Sequence, residues 1–126
     1  MSKTLDQERA EFAWEQTKDA DKDFKNLASG APSMVMSNGL MQALAFWNEK
    51  GDRQKNVKGD RQKLVTLLVK WLGERVLNPP KKEAKFEDVM KALIEGDADL
   101  YFRATEETLA MLKWIRQFAK TRVKGE

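Results

Sequence analysis

The scarcity of chain breakers is the feature that most constrains how this chain can fold. Only three prolines and seven glycines interrupt its 126 residues. The stretches between them are rich in Ala, Leu, Lys, Glu and Gln, which favour helix, and none shows the alternation or the β-branched enrichment typical of a strand. The sequence therefore predicts an all-α protein, a compact bundle of about five helices with long first and last helices, that forms one domain over residues 1–126.

Capping and breaking residues predict where the first helices begin and end. Thr4 followed by Gln7 resembles a capping box, which opens the first helix. Ser29 to Pro32 is a break, with Pro32 suited to the first turn of the second helix. The expected ranges are residues 5–28, 33–50, 60–77 and 86–95, followed by a last helix that starts after residue 97 or 99 and reaches about residue 124. Because the second helix has apolar side chains on nearly every side, we expect it at the centre of the bundle.

Aspartate and glycine mark the later boundaries. Asp60 is the expected N-cap of the third helix, and Gly96 closes the fourth. Asp97 or Asp99 caps the last helix, where a negative charge complements the helix dipole.

The connection before the third helix contains the pentapeptide GDRQK twice, in "GDRQKNVKGDRQK" from residue 51 to residue 63. A period of eight residues is too short for a solenoid, and the pentapeptide does not recur elsewhere. We expect the first copy to lie in a loop and the second to open the helix. The repeat is therefore interpreted as a basic connection between helices, not as an architecture.

The chain contains no cysteine and no histidine, which excludes disulfides, thiolate chemistry, His-containing triads and the usual zinc ligands. Asp19, Asp21 and Asp23 are spaced like the start of a calcium loop, but Phe24 stands where that loop needs glycine and Gly30 where it needs glutamate. No phosphate loop or dinucleotide fingerprint is present. We therefore expect no catalytic residue, no cofactor and no metal, in a protein that is not an enzyme.

Residues 26–48 carry no charge, a run long enough to raise the question of a membrane span. The run also holds many polar and helix-breaking residues, which a lipid-exposed helix would not tolerate. They are Asn26, Ser29, Gly30, Pro32, Ser33, Ser37, Asn38, Gly39 and Gln42. The first residues contain no apolar signal core. We therefore interpret the run as a buried segment of a cytoplasmic protein that has no membrane partner.

The net charge of +3 is distributed unevenly. Residues 51–82 carry nine basic and three acidic groups, and residues 108–125 carry five basic and no acidic ones. Such asymmetry points to a polyanionic partner. The candidate contact residues are Arg53, Lys55, Lys58, Arg61, Lys63, Lys113, Arg116, Lys120 and Lys124.

A helical period of 100° per residue separates an apolar from a basic side of the last helix. The predicted apolar face consists of Tyr101, Ala104, Thr105, Thr108, Leu112, Ile115 and Ala119. Lys113, Lys120 and Lys124 align on another side, with Arg116 at its edge. A solvated basic face near a helix C-terminus is also ordinary, so the pattern leaves phosphate contact and simple solvation both open.

Four tryptophans fall in four different predicted helices: Trp14, Trp47, Trp71 and Trp114. An aromatic ring beside basic residues can stack on a base of single-stranded nucleic acid, but we expect most of these rings to anchor the core or a protein contact. Trp14 stands off the apolar face of its helix and is the expected interface residue.

Two stretches, "NGLMQALAFW" (residues 38–47) and "YFRATEETLAMLKWIRQFAK" (residues 101–120), resemble the small α-helical subunit of the type III-B CRISPR effector, the Cmr complex. With length and helix order, the resemblance covers most of the chain from about residue 32 onward. The matching positions are Asn38-Gly39-Leu40, Gln42-Ala43-Leu44 and Phe46, then Tyr101, Arg103, Ala104, Thr105, Glu107, Leu112, Trp114 and Phe118-Ala119.

The resemblance implies a non-catalytic helical bundle that stacks in a short filament against the guide-RNA backbone and beside the large polymerase-like subunit, helping to hold the guide–target RNA duplex. It implies that RNA cleavage belongs to the backbone subunits of the complex. Tyr101 and Trp114 are interpreted as packing residues. The basic residues would then contact RNA backbone, because such complexes hold a duplex by shape and charge while base pairing reads the sequence.

The acidic face of the first helix, formed by Glu8, Glu11, Glu15 and Asp19, would favour head-to-tail stacking against a basic block of another copy. Two other interpretations stay open. A protein adaptor would use its basic patches to bind acidic protein partners. A helix-turn-helix DNA binder would need a short helix pair, which the long first and last helices fit poorly.

Overall fold

The structure, a computed structural model, describes residues 2–49 and 57–123. These residues form six α-helices and no strand, which confirms the all-α prediction. The helices are α1 (Leu5–Gln16), α2 (Lys22–Asn38), α3 (Leu40–Asn48), α4 (Val57–Arg75), α5 (Phe86–Glu95) and α6 (Ala98–Arg122). The first copy of the pentapeptide lies outside the described residues, and the second lies within α4.

The single long first helix was a wrong prediction, because the chain turns between α1 and α2. The hydroxyl of Thr17 donates to the carbonyl of Ala13 at 2.9 Å, and the Ala20 amide donates to the Thr17 carbonyl at 3.1 Å. Asp21 then adopts extended backbone and caps α2, its Oδ1 accepting from the Phe24 amide at 2.8 Å. The side chain of Asp21 binds a backbone N–H group that a continuous helix would bond to a carbonyl group, so a new helix starts here. The predicted capping box at Thr4 is confirmed.

The predicted break at residues 29–32 was also wrong. Helix α2 passes through Pro32, although proline lacks the N–H for one helical hydrogen bond. Its buried stripe, formed by Phe24, Ala28, Ala31 and Val35, contacts α6 and offsets that cost. The chain instead breaks at Gly39, whose φ of 88° lies in the left-handed region that glycine adopts without strain.

Helix α4, not the predicted second helix, lies at the centre of the bundle. It contacts α2, α3, α5 and α6, and its side chains are buried on most sides. The buried residues of α4 and its end are Leu64, Val65, Leu67, Leu68, Val69, Trp71, Leu72 and Val76. The helix begins at Val57, so Asp60 lies in its first turn and is not the N-cap. A carboxylate one turn inside the helix still complements the positive end of the dipole.

The later boundaries were predicted correctly. Helix α5 spans Phe86–Glu95 and ends at Gly96. Asp97 caps α6, its Oδ1 accepting from the Leu100 amide at 2.9 Å. The predicted apolar face of α6 packs against the core, which also takes in Met111.

Two buried threonines differ in whether their hydroxyls are bonded, and this difference predicts opposite effects of the same substitution. Thr17 donates to Ala13, whereas the Thr108 hydroxyl has no hydrogen-bond partner among the described residues. We expect Thr17→Val to lower the free energy of unfolding by about 1 kcal/mol, and Thr108→Val to raise it by a similar amount. Urea unfolding followed by circular dichroism measures both. A loss of stability in Thr108→Val as large as that in Thr17→Val would contradict the prediction.

Candidate nucleic-acid interface

The outer side of α6 carries three exposed cations: Lys113, Arg116 and Lys120. The side of the helix that faces the core includes Leu112 and Ile115, which are fully buried. A rise of 1.5 Å per residue places the Cα atoms of Lys113 and Lys120 about 10.5 Å apart along the helix axis. None of the three cations forms an ion pair within residues 2–49 and 57–123. This stripe was predicted from helical periodicity.

Arg61 and Lys63, at the start of α4, contact aromatic rings instead of solvent alone. The guanidinium of Arg61 lies over the ring of Phe46, 4.6 Å from its centroid, and the Lys63 ammonium lies 5.2 Å from the centroid of Phe24. Both cations are half-buried and gain attraction from the ring faces. The side chain of Lys58 and the predicted contacts Arg53, Lys55 and Lys124 lie outside the described residues.

The carboxylates of α1 have partners within the chain. Glu8 forms an ion pair with Arg75 of α4. Glu11 pairs with Lys3 at 2.7 Å, in a solvent-exposed contact where both side chains are more than half exposed. Glu15 likewise pairs with Lys18 at 3.5 Å. The acidic side of α1 is therefore largely compensated inside the molecule. The three cations on the outer side of α6 form no ion pair in the described ranges, and Lys113 interacts with a carboxylate, that of Asp6, at longer range.

Glu107 joins three helices through one carboxylate. Its Oε2 accepts from Arg9 Nε of α1 at 2.6 Å and from Trp71 Nε1 of α4 at 2.8 Å, and its Oε1 accepts from Arg9 Nη2 at 2.8 Å. Burial raises the pKa of Glu107, but the hydrogen bonds from Arg9 and Trp71, together with the nearby positive charges, outweigh it and hold this pKa below its usual value. The same contact raises the pKa of Arg9. Sequence reasoning missed this cluster.

The four tryptophans divide between core and surface. Trp47 and Trp71 are buried, as expected of core anchors. Trp14 is 42% exposed, and its role at an interface stays a prediction. Its ring packs edge-on against Phe118 with centroids 5.1 Å apart, and the guanidinium of Arg122 covers it at 3.5 Å from the centroid.

The two stretches that carry the family resemblance contact each other. The Tyr101 hydroxyl accepts from the Met41 amide at 3.4 Å. The same oxygen lies 3.1 Å from the position that a Cβ on Gly39 would take, so a side chain there would meet Tyr101 as well as strain the backbone. Trp114 packs against Phe118, and its Nε1 donates to Asp6 Oδ1 at 3.0 Å. Tyr101 and Trp114 therefore contribute to packing, as predicted.

Three carboxylates meet beside the start of α4. Oxygen atoms of Asp21, Asp23 and Asp60 lie within 4.8 Å of one another, the one such grouping found in the described part of the chain. Burial and the charges of the other two carboxylates raise the pKa of Asp60. The sequence linked Asp21 to Asp23 but not to Asp60, since that approach depends on tertiary packing. Asp21 is used as the helix cap described above.

Within residues 2–49 and 57–123, no helix combines the length and the apolar character that crossing a membrane requires.

The fold and the surface together define a small helical-bundle protein with a basic last helix. The chain matches the family model of the CRISPR-associated protein (Cas_Cmr5) over residues 5–122, and it therefore belongs to that family. It is 29% identical over 123 residues to the CRISPR system Cmr subunit Cmr5 of Thermus thermophilus, covering 94% of this chain and 95% of that protein.

The same family emerges from a comparison of structures. The crystal structure of a CRISPR-associated Cmr5 family protein from Thermus thermophilus superposes with a TM-score of 0.74 and 26% sequence identity, covering 97% of this chain and 100% of that one. The resemblance inferred from the two sequence stretches is confirmed.

Glu107 provides a test of the link between α1, α4 and α6. We expect Glu107→Gln to lower the free energy of unfolding by about 1.5–3 kcal/mol near pH 7, because hydrogen bonds to a charged group are lost. A carboxylate whose pKa is depressed by folding stabilises the fold above its unfolded pKa and loses that contribution as the pH falls through its folded pKa. The difference from the wild type should therefore shrink below the usual glutamate value near pH 4.5.

Urea unfolding at pH 7 and at pH 3 measures this difference. The matched control is Glu106→Gln, which makes the same change at the adjacent, exposed position and should alter stability by less than about 0.5 kcal/mol. Equal effects of the two substitutions at pH 7 would contradict the role assigned to Glu107.

Proposed function

We propose that this chain is the small, non-catalytic subunit of a type III-B Cmr effector complex and that its basic surface holds RNA by the phosphate backbone. Membership of the Cmr5 family supports a place beside other Cmr subunits. The observation that carries the RNA contact is the row of exposed cations on α6, Lys113, Arg116 and Lys120, which have no ion-pair partner within the described ranges.

Unpaired lysine and arginine side chains suit a polyanion because they release condensed counterions from phosphates and need no base-reading pocket. The separation of about 10.5 Å between the Cα atoms of Lys113 and Lys120 along the helix axis allows the two side chains to contact different phosphates of one strand. A subunit of this kind recognises the shape and charge of a guide–target duplex, whose sequence is read by base pairing.

The cations at the start of α4 are a second and weaker candidate for RNA contact. Arg61 and Lys63 already interact with aromatic rings, so phosphate would have to compete with those contacts. Arg53, Lys55, Lys58 and Lys124 remain predicted RNA contacts.

Stacking of further copies is the remaining part of the proposal. Glu11 and Glu15 pair only with exposed lysines, and exposed ion pairs of this kind are worth little. These carboxylates are therefore able to exchange their partners for cations of another copy at small cost. Glu8 is less available, since it is held by Arg75 between two helices.

Replacing the α6 cations tests the RNA contact. In a Cmr complex purified through a tag on this chain, we expect Lys113→Gln/Arg116→Gln/Lys120→Gln to keep the other subunits but to retain less target RNA. The slope of log affinity against log salt concentration should become less steep by roughly 0.7 for each lost phosphate contact, about 2 in all for single-stranded RNA. Native mass spectrometry and filter binding measure assembly and affinity.

The control for this experiment makes the same charge change elsewhere. Lys70, Lys82 and Lys91 are exposed but lie on α4, the following connection and α5, so replacing them by glutamine should leave the retention of RNA nearly unchanged. Equal retention by both triple variants would refute the RNA surface. Absence of Cmr subunits and RNA from the purified wild-type chain would refute the assignment as a subunit.

Charge reversal on α1 tests the stacking of copies. We expect Glu11→Lys/Glu15→Lys to weaken self-association about tenfold at low salt, because two rim charges change from attraction to repulsion. Sedimentation velocity across a concentration series measures this effect. Glu83→Lys/Glu95→Lys changes the net charge equally at two other exposed positions. Self-association that is unaffected by the first pair, or weakened as much by the second, would contradict the proposal.

A further inference from the structure

A groove of about 440 Å³ runs along the outer side of α6 and is closed at one side by Asp6 of α1. Leu109, Ala110 and Trp114 form its apolar walls, and Lys113 and Gln117 lie at its rim. The α6 residues span positions i to i+8, so the groove extends about 12 Å along the helix. It faces away from the core, because the buried residues of α6 occupy the opposite side of the helix.

The Trp114 side chain in the wall of this groove is held in place by a hydrogen bond between α6 and α1. Asp6 Oδ1 accepts from Trp114 Nε1 at 3.0 Å and from Arg9 Nη1 at 3.3 Å. Arg9 is in turn fixed by its two bonds to Glu107. The indole therefore has a defined orientation beside the groove, which is a condition for stacking a planar ligand at small entropic cost.

The charges at the rim distinguish between possible occupants. Lys113 belongs to the groove, where its charge interacts with the Asp6 carboxylate, and also to the row of cations that form no ion pair in the described ranges; Lys120 follows two turns further along the same side of α6. An apolar side chain of a protein partner would fill the groove but would supply no charge for these cations unless an acidic side chain accompanied it. A nucleotide supplies an aromatic base for the groove and phosphates for the rim at the same time.

We propose that the groove holds one unpaired base of an RNA strand whose neighbouring phosphates contact Lys113 and Lys120. The volume lies within the range of small-molecule sites, roughly 300–1,000 Å³. The base packs between the side chains of Leu109 and Trp114, and the Asp6 carboxylate is placed to accept a hydrogen bond from a base amino group. The inference rests on the proposed RNA contact of α6 and adds to it a specific place for a base.

The test compares two single-stranded probes of ten nucleotides, a labelled oligoadenylate and a chain of abasic ribose phosphates with the same charge. We expect the full-length protein to bind the oligoadenylate about 5-fold to 150-fold more tightly, the range for stacking of one base. Ala110→Leu fills the groove and should reduce the affinity for oligoadenylate toward that of the abasic probe, without changing the abasic affinity. Fluorescence anisotropy at low salt measures both.

Ala98→Leu is the matched control, since Ala98 is an exposed alanine at the other end of the same helix, and it should leave both affinities unchanged. Circular dichroism checks that both variants are folded. Lys113→Gln should weaken the binding of both probes, because it removes a phosphate contact and not a wall of the groove.

The outcomes separate the two proposals. Equal affinities for the two probes, or equal effects of Ala110→Leu on both, would overturn the base site, and this is the result expected if a protein side chain fills the groove. Loss of both affinities in Lys113→Gln would at the same time support the phosphate contact. No binding of either probe would overturn both proposals.

Discussion

The carboxylate of Glu107 is the interaction on which the arrangement of the helices most depends. It lies on α6 and accepts hydrogen bonds from Arg9 of α1 and from Trp71 of α4. Helix α1 buries only one residue, Ala13, completely, so its apolar packing alone gives little definition of its position. A half-buried ion pair with fixed geometry supplies that definition, because displacing α1 would leave a desolvated carboxylate without its partner.

Fixing α1 in this way determines which charges face outward. The acidic side of α1 is largely neutralised within the molecule. Glu8 forms an ion pair with Arg75, and Glu11 and Glu15 form exposed ion pairs with lysines. Lys113, Arg116 and Lys120 on α6 form no such ion pair in the described ranges. The +3 net charge is too small to indicate a polyanion partner by itself. A stronger argument for such a partner is that internal ion pairs neutralise some charges of the chain and not others, because an external anion gains most from cations that form no internal ion pair.

The sequence predicted those features that depend on neighbouring residues. Gly96 and Asp97 mark the junction of α5 and α6 correctly, since capping is a local interaction, and the period of α6 separated Lys113 from the buried face. Pro32 was misread as a boundary because packing against α6 outweighs its local preference. The Glu107 cluster joins residues 98 positions apart, and the α6 groove needs Asp6 from α1. Periodicity within one helix contains no information on either contact.

The two basic blocks, which are alike in sequence, differ in what a phosphate would gain from them. Arg61 and Lys63 are half-buried over aromatic rings, so binding a phosphate there would cost part of an existing cation–π attraction. Lys113, Arg116 and Lys120 are exposed side chains without an internal ion pair in the described structure, so a phosphate displaces only water and counterions. The number of charges alone would rank the α4 block first, whereas the contacts of each cation favour α6 as the main site of the proposed phosphate contact.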